Sequence, residues 1–363
     1  MERLLEEFEM RCAVLALIGG LLASSAVAGP PKQGDGPYRL LQTAKVGGDG
    51  SFDYVYADSA GRRLYVPRRG PTPRVSIFDL DSLQPVSELG QIGAHGATTD
   101  TKYNTGFASS SPVAMWDTKT LAITKTIPVD GGPDGILGDP FNDHVYIFSH
   151  EAPNATVIDA KDGSVLGTID LGGAPEQAVT DGQGHVYVDL EDKGAVAVVD
   201  ANTMKVTGTY DLAGKGTGCA GLAFDVANHV LFVACRNPQV MVMLDSTDGH
   251  YLASLPIGRG CDGAVFNPST GEAFSSQGDG TLTVIKETSP TTFVVEQTVQ
   301  TMPGAKTLTL DTQTNRILLI TAQYEAPPPP ANPPANPTVD GQRPRPRRKM
   351  IAGSFSILVV GKP

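Results

Sequence analysis

Residues 182–214 read GQGHVYVDLEDKGAVAVVDANTMKVTGTYDLAG and contain three short apolar runs separated by polar turns. Valine, tyrosine and threonine are frequent in the runs, and glycine, aspartate and asparagine lie between them. β-Branched and aromatic side chains pack well on a pleated sheet, whereas the intervening residues suit tight turns. This stretch therefore predicts consecutive short β-strands rather than a helix.

The same arrangement recurs along the chain. A short apolar stretch ending in Asp or Asn opens each unit, and successive anchor residues are 42, 39, 42, 44, 42 and 44 positions apart. The anchors are Asp58, Asp100, Asp139, Asp181, Asp225, Asn267 and Asp311. Such a strict period favours a role in turns for these side chains, because Asp and Asn accept hydrogen bonds from the backbone just downstream.

Seven units of about four strands each predict an all-β fold, a seven-bladed β-propeller. Helical solenoids of similar period would need helical windows, and these units show β-branched alternation instead. The last unit lacks a fourth strand, while residues 38–46, YRLLQTAKV, stand alone before the first unit. We expect this N-terminal strand to complete blade 7, which closes the ring and removes free edges.

Two of the units, residues 182–214 and residues 60–93 (AGRRLYVPRRGPTPRVSIFDLDSLQPVSELGQIG), resemble the YVTN repeat of the YncE-like seven-bladed propellers. The resemblance covers residues 38–360, although most units lack Thr-Asn after Tyr-Val and the second unit is irregular. It implies an exported propeller, often without assigned chemistry, whose relatives by fold include lactonases and redox-enzyme subunits. Fold alone does not settle function.

Residues 1–28 predict export. Residues 10–28, MRCAVLALIGGLLASSAVA, have an arginine, a short apolar run and an Ala-x-Ala end, as secretory signal peptides do. The acidic residues before Met10 do not suit a signal peptide, so Met10 is the expected start. The alternative is a membrane anchor, but the apolar run is short for a bilayer. We expect residues 29–363 to form one propeller domain in the periplasm or outside the cell.

The net charge of −11 argues against nucleic acid as a partner, because nucleic-acid affinity requires clustered positive charge. An exception to the acidic balance is the Pro/Arg-rich loop insertion at residues 325–350, which holds five basic residues near its end. This loop is expected between the second and third strands of blade 7. It is either a solvated loop or a basic arm that covers the channel mouth or recruits an anionic partner.

Candidate ligand-binding residues come from the predicted channel. The residue five positions before each anchor leads into the innermost strand of its blade, at one mouth of the channel. Six of these seven residues are ionisable and define the mouth ring: Asp262, Lys306, Asp53, His95, Asp134 and Glu176, followed by Ala220. Crowded carboxylates raise one another's pKa or bind a cation.

A divalent metal is one such cation, and the expected metal set is Asp53, His95, Asp134 and Glu176. Oxygen ligands with one imidazole suit Ca²⁺, Mg²⁺ or Mn²⁺, and Zn²⁺ if a second histidine joins. The alternative is a solvated acidic rim that Lys306 and nearby arginines neutralise.

Catalytic candidates are His95, Asp134, His150 and Glu151. With a metal polarising a carbonyl group, water could attack while His95 or a carboxylate acts as general base. The chain has no G-x-S-x-G elbow, which argues against a serine hydrolase.

Three cysteines remain after signal removal. Cys219 and Cys235 fall on adjacent strands of one unit, and Cys261 has the same repeat position as Cys219 one unit later. The preferred disulfide is Cys219 to Cys235; Cys219 to Cys261 and three free buried thiols are the alternatives.

These features leave three functional hypotheses. The first is an exported binding or scaffold protein of the bacterial cell envelope, with a small-molecule ligand at the acidic mouth or an envelope protein or polymer on the blade faces. The second is a metal-dependent, lactonase-like hydrolase with its site at the mouth. The third is an accessory subunit of a periplasmic redox enzyme.

Overall fold

The computed structural model describes residues 36–325 and 349–363, which form 29 β-strands in seven antiparallel sheets. The sheets are the blades of a seven-bladed β-propeller, so the predicted fold class is confirmed. Among the described residues, no helix has the length and hydropathy needed to cross a bilayer. The predicted signal peptide and most of the Pro/Arg-rich loop lie outside the described residues.

The strands follow the repeat in chain order. Strand β1 (Arg39–Lys45) precedes the first blade. Blade 1 contains β2 (Ser51–Phe52), β3 (Tyr56–Asp58), β4 (Arg63–Arg69), β5 (Arg74–Asp79) and β6 (Pro85–Gly90). Blade 2 contains β7 (Ala97–Asp100), β8 (Thr105–Ala108), β9 (Val113–Asp117) and β10 (Ile123–Ile127). Blade 3 contains β11 (Pro133–Asp139), β12 (His144–Ser149), β13 (Asn154–Asp159) and β14 (Val165–Asp170).

Blades 4 to 7 continue the same arrangement of antiparallel strands. Blade 4 contains β15 (Pro175–Thr180), β16 (His185–Leu190), β17 (Ala195–Asp200) and β18 (Lys205–Asp211); blade 5 contains β19 (Thr217–Asp225), β20 (Val230–Asn237), β21 (Val240–Asp245) and β22 (Tyr251–Pro256); blade 6 contains β23 (Cys261–Asn267), β24 (Glu272–Gln277), β25 (Thr281–Ser289) and β26 (Thr292–Gln300); blade 7 contains β27 (Leu308–Asp311), β28 (Arg316–Thr321) and β29 (Ser356–Gly361).

Strand β1 completes blade 7, as predicted. It pairs antiparallel with β29, with Arg39 opposite Gly361 and Lys45 opposite Ser356. The N-terminal strand therefore covers the outer edge of β29, and the first and last strands of the ring belong to one sheet. Between β28 and β29 the backbone of Glu325 donates to Lys349 O at 2.8 Å, so the loop insertion leaves and rejoins blade 7 at neighbouring points.

Residues of blade 6 stabilise this closure through hydrogen bonds and an ion pair. The Tyr38 N–H donates to Gln297 Oε1 at 2.8 Å, and Gln297 Nε2 donates to Tyr38 O at 2.9 Å. The Tyr38 hydroxyl donates to Glu272, which also accepts from Lys362 Nζ at 2.9 Å. Glu272 is 1% exposed. One buried carboxylate thus holds residues from both ends of the propeller.

The hydrophobic core lies between neighbouring blades. Consecutive residues of β16 show why: Val186 packs in the cluster that blades 3 and 4 share, whereas Tyr187 packs in the cluster of blades 4 and 5. Alternate side chains of a strand point to opposite faces of its sheet, so each blade packs on both neighbours. This packing fixes the positions of the inner strands around the channel.

The anchor side chains hold the turns that follow the inner strands, as predicted. Each accepts a backbone N–H two or three residues downstream. Asp58, for example, accepts from Gly61 at 2.7 Å, and Asp181 accepts from Gln183 at 2.7 Å. The recurring Asp and Asn are therefore structural.

Blade 5 contains a disulfide bond between Cys219 and Cys235, which face each other on β19 and β20. Cys261 of β23 is free and buried. The structure thus forms the preferred pairing and not the bond between Cys219 and Cys261.

Replacing Glu272 with alanine is expected to weaken the ring closure. The Tyr38 hydroxyl and the Lys362 ammonium lose their acceptor, and the free energy of unfolding should fall by about 2 kcal/mol, because a buried polar group is left unpaired. Denaturant unfolding measures this loss. The control is Glu88→Ala, whose side chain is 59% exposed and pairs with Arg74; it should change stability by less than about 0.5 kcal/mol. Equal losses in both variants would contradict the role of Glu272.

Candidate functional site

Five members of the mouth ring form one continuous chain of ion pairs, the ion-pair arc. Lys306 Nζ contacts Asp262 and lies 3.5 Å from Asp53 Oδ1. His95 Nδ1 lies 3.0 Å from Asp53 Oδ2 and 2.6 Å from Asp134 Oδ1. The arc, Asp262–Lys306–Asp53–His95–Asp134, joins the inner strands of blades 6, 7, 1, 2 and 3. The structure therefore brings together these residues as the repeat predicted.

His95 lies between the two carboxylates on one side and Arg69, whose Nη1 contacts Nε2, on the other. Burial alone lowers the pKa of His95, but hydrogen bonds with Asp134 and Asp53 outweigh burial and raise the pKa to about 9. The positive charge of Arg69 opposes this rise. At neutral pH His95 is therefore largely in its protonated, positively charged form, which neutralises part of the carboxylate charge.

Glu176 occupies the remaining acidic position of the mouth ring. Its Oε2 accepts a hydrogen bond from the Tyr54 hydroxyl at 3.0 Å, and its Oε1 lies 3.6 Å from His150 Nδ1. Burial, and then the negative charges of Glu191 and of two arc carboxylates, raise the pKa of Glu176 to about 8. At neutral pH this group is mostly protonated.

Arg236 links this side of the mouth to the arc. Its guanidinium contacts both Glu191 and Asp262, and its Nε–H donates to Cys261 O at 3.0 Å. The Arg236 guanidinium pairs with both Asp262 and Glu191. Among the described residues, Glu191 therefore shares its positive partner with Asp262. The arginine is thus already engaged, and Glu176 has no lysine or arginine within salt-bridge distance among the described residues.

Asp189 lies behind Glu176 at the end of β16. It is 0% exposed, and neither carboxylate oxygen has a hydrogen-bond partner within the described part of the chain. Burial, and then the charges of Glu176 and Glu191, raise the pKa of Asp189 well above its ordinary value. Burial therefore favours the uncharged form of this acid, and the nearby positive charge of Arg236 opposes that effect only in part.

The mouth has more carboxyl groups than cations. Its six carboxyls in the described residues are Asp53, Asp134, Glu176, Asp189, Glu191 and Asp262; its cations are Arg69, Arg236, Lys306 and protonated His95, and the imidazole of His150 lies 3.6 Å from Glu176. Two of the carboxyls, Glu176 and Asp189, have strongly raised pKa values. Protonation of these two groups reduces the negative charge at the mouth.

The channel continues beneath this mouth as a cavity of about 150 Å³. Glu176 and Gln177 both line it, together with Tyr54. Gln177 Nε2 donates to Ala264 O at 2.8 Å, and its Oε1 accepts from the Ala264 and Leu222 N–H groups at 2.9 and 3.1 Å. Gln177 therefore ties blade 4 to the inner strands of blades 5 and 6.

A β-bulge explains why two consecutive residues reach the channel. In β15 the pairing register shifts between Pro175 and Ala178, so Glu176 and Gln177 occupy the irregular stretch. A bulge inserts an extra residue and re-aims side chains locally. The repeat predicts Glu176 as a channel residue but not Tyr54 or Gln177, because the position five residues before each anchor is a single residue in each blade.

The expected metal set is divided in the structure. Potential ligand atoms of Asp53, His95 and Asp134 lie within 4.8 Å of one another. Glu176 instead belongs to a second such group with His150 and Glu191. Oxygen and imidazole ligands in either group could hold a divalent cation.

The two members of the His150–Glu151 pair have different positions. His150 Nδ1 faces Glu176, so this histidine belongs to the mouth. Glu151 is exposed, and its backbone N–H donates to Gly131 O at 3.1 Å. Only the histidine of this predicted pair joins the cluster.

Comparisons with known proteins support the β-propeller fold but show neither a family nor a function. No model of a protein family matches the chain, and no curated protein matches it. Among solved structures, a chain in the crystal structure of the mitotic checkpoint complex is similar over 77% of this chain and 88% of its own length, with 10% sequence identity and a TM-score of 0.66. At that identity the similarity shows a shared fold alone. The resemblance to YncE-like propellers stays a prediction.

The raised pKa of Glu176 predicts a specific pH dependence of stability. The folded-state pKa of about 8 exceeds the ordinary value of 4.5, so ionisation opposes folding as the pH rises through that range. Glu176→Gln should therefore become progressively more stable than the wild type between these pH values, with a constant difference above them. Denaturant unfolding at pH values below, within and above the range measures the difference. Parallel profiles would contradict the raised pKa, and Glu88→Gln should give a parallel profile.

Proposed function

We propose that the protein is an exported binding propeller of the bacterial cell envelope that binds a positively charged ligand at its channel mouth. A binding or scaffold role agrees with the β-propeller fold. Export rests on the signal-peptide pattern of residues 10–28, and the envelope location follows from it. The blade faces remain a predicted surface for a protein or polymer partner.

One observation carries the ligand-binding part of the proposal: Glu176, whose pKa is strongly raised, lines an open cavity and has no lysine or arginine within salt-bridge distance among the described residues. Ionic side chains that only stabilise the fold are paired, as in the ion-pair arc. Glu176 is partly exposed, and its neighbours are the Tyr54 hydroxyl and His150 Nδ1, which lies 3.6 Å away. A cavity with converging polar groups and a perturbed pKa is the usual form of a ligand site.

The second candidate is a metal-dependent hydrolase, and the closeness of Asp53, His95 and Asp134 favours it. Binding a metal through His95 Nδ1 requires loss of the proton that Asp53 and Asp134 stabilise. Arg69 contacts the other ring nitrogen and would repel a metal there. These contacts make the arc better suited to ion pairing than to metal binding, so the hydrolase ranks second.

Equilibrium dialysis of the purified protein tests the binding function. The probes are Ca²⁺, Mn²⁺, Zn²⁺ and n-butylammonium, with acetate as the anionic control. We expect at least one cation to bind, acetate not to bind, and the affinity for the cation to fall with added salt, because screening weakens attraction to exposed charge. Glu176→Gln should weaken the binding, since it removes a carboxylate and keeps the side-chain shape.

Asp130→Asn is the matched control, because Asp130 is an exposed carboxylate on the loop before β11. It should leave binding unchanged. Failure of every cation to bind, or acetate binding as tightly as a cation, would contradict the proposal. Turnover of lactones that depends on added metal and on Asp134 would instead favour the hydrolase.

A further inference from the structure

The channel cavity beneath the mouth is lined by both polar and apolar side chains. Glu176 and the Tyr54 hydroxyl lie at one polar part of it, and Gln177 and Thr309 add further polar groups. Apolar side chains from four blades line the other part: Val55, Ile136, Val265 and Leu308. The cavity is therefore amphipathic along its length.

We infer that the channel binds a primary amine with a short alkyl chain, whose ammonium group lies at Glu176 and whose chain enters the cavity. This inference rests on the proposed function and specifies its ligand class. It also assigns the binding to the Glu176 side of the mouth and not to the ion-pair arc.

The ammonium position is defined by two independent features. Glu176 accepts a hydrogen bond from the Tyr54 hydroxyl, and no lysine or arginine of the described residues lies within salt-bridge distance of it. Asp189 is fully buried near this group, with both oxygens unpartnered among the described residues. An ammonium ion at Glu176 adds positive charge beside these two acids, and it donates up to three hydrogen bonds.

The size of the cavity limits the chain. Pockets for drug-sized ligands occupy about 300–1,000 Å³, whereas this cavity has about 150 Å³. A sugar or a lactone with a large substituent would therefore exceed it, and a short alkyl chain fits. Gln177 limits the depth on one side, because its amide is bonded to blades 5 and 6 and is not free to move aside.

The apolar walls favour an organic cation over a divalent metal. A metal ion takes six or more oxygen ligands in the case of Ca²⁺, or an octahedral set in the case of Mg²⁺. Glu176 is the one carboxylate among the described residues that line the cavity, and Val55, Val265 and Leu308 offer no oxygen ligand from their side chains. An alkyl chain gains free energy from the same walls, because it leaves water.

Binding should also release a proton. Glu176 is mostly protonated near neutral pH, and an ammonium ion beside it favours the carboxylate form. A proton therefore leaves Glu176 for the solvent when the amine binds. The number released should be about one at pH 7 and should fall to zero in Glu176→Gln.

Calorimetric titration of the full chain tests the inference. The probes are methylamine, n-propylamine and n-butylamine at neutral pH, with n-butanol as the uncharged analogue and Ca²⁺ as the metal. The affinity should rise about fourfold for each methylene added, and n-butanol should not bind measurably. Titrations in two buffers of different ionisation enthalpy give the number of protons released.

Two variants test the ammonium group and the alkyl chain of the ligand separately. Glu176→Gln should lower the n-butylamine affinity about tenfold or more, whereas the control Asp130→Asn should not change it. Val265→Phe should fill the cavity and abolish the gain from methylamine to n-butylamine while methylamine still binds. Thermal unfolding of each variant reports whether it is folded, and the amine series on the wild type tests the tail without any substitution.

The outcomes distinguish this inference from the proposed function. Binding of Ca²⁺ without amines, or equal affinity for methylamine and n-butylamine, would overturn the inference and leave the cation-binding function standing. Absence of binding by every cation would overturn both. Chain-length dependence together with loss in Glu176→Gln would support both.

Discussion

Closure of the ring by β1 is the constraint on which the channel mouth depends. The inner strands converge only because each blade packs on two neighbours, and blades 7 and 1 become neighbours through the closed circle. Glu272 holds this closure from blade 6 by binding Tyr38 and Lys362. The interaction is far along the chain from the mouth ring, yet it fixes the ring in which Asp53 meets Lys306 across 253 positions of sequence.

Convergence places more acids at the mouth than the local cations neutralise. On one side the acids alternate with Lys306 and His95, and the resulting ion pairs lower the pKa of Asp53 despite its burial. On the other side Glu176 and Asp189 have no lysine or arginine within salt-bridge distance among the described residues, and their pKa values are strongly raised. The two halves of the same mouth thus have different chemistry: the ion-pair arc stabilises the ring, and the Glu176 side is available for a ligand.

The repeat predicted the fold, the role of β1, the anchor turns and the members of the mouth ring, because all of these follow from a regular period. Tyr54 and Gln177 were not predicted, since a bulge in β15 and the break between β2 and β3 have no sequence period. The division of the acids into two groups was not predictable either. It depends on which carboxylate Arg236 and Lys306 reach, and side-chain reach is set by tertiary packing.

The central claim is that a protonated Glu176 gives up its proton to make room for a ligand cation. The infrared difference spectrum between free and n-butylamine-bound protein tests it most directly. We predict loss of a carboxylic-acid C=O band and gain of carboxylate bands on binding, with neither change in Glu176→Gln. A bound amine with an unchanged carboxylic-acid band, or the same change in the variant, would contradict the account.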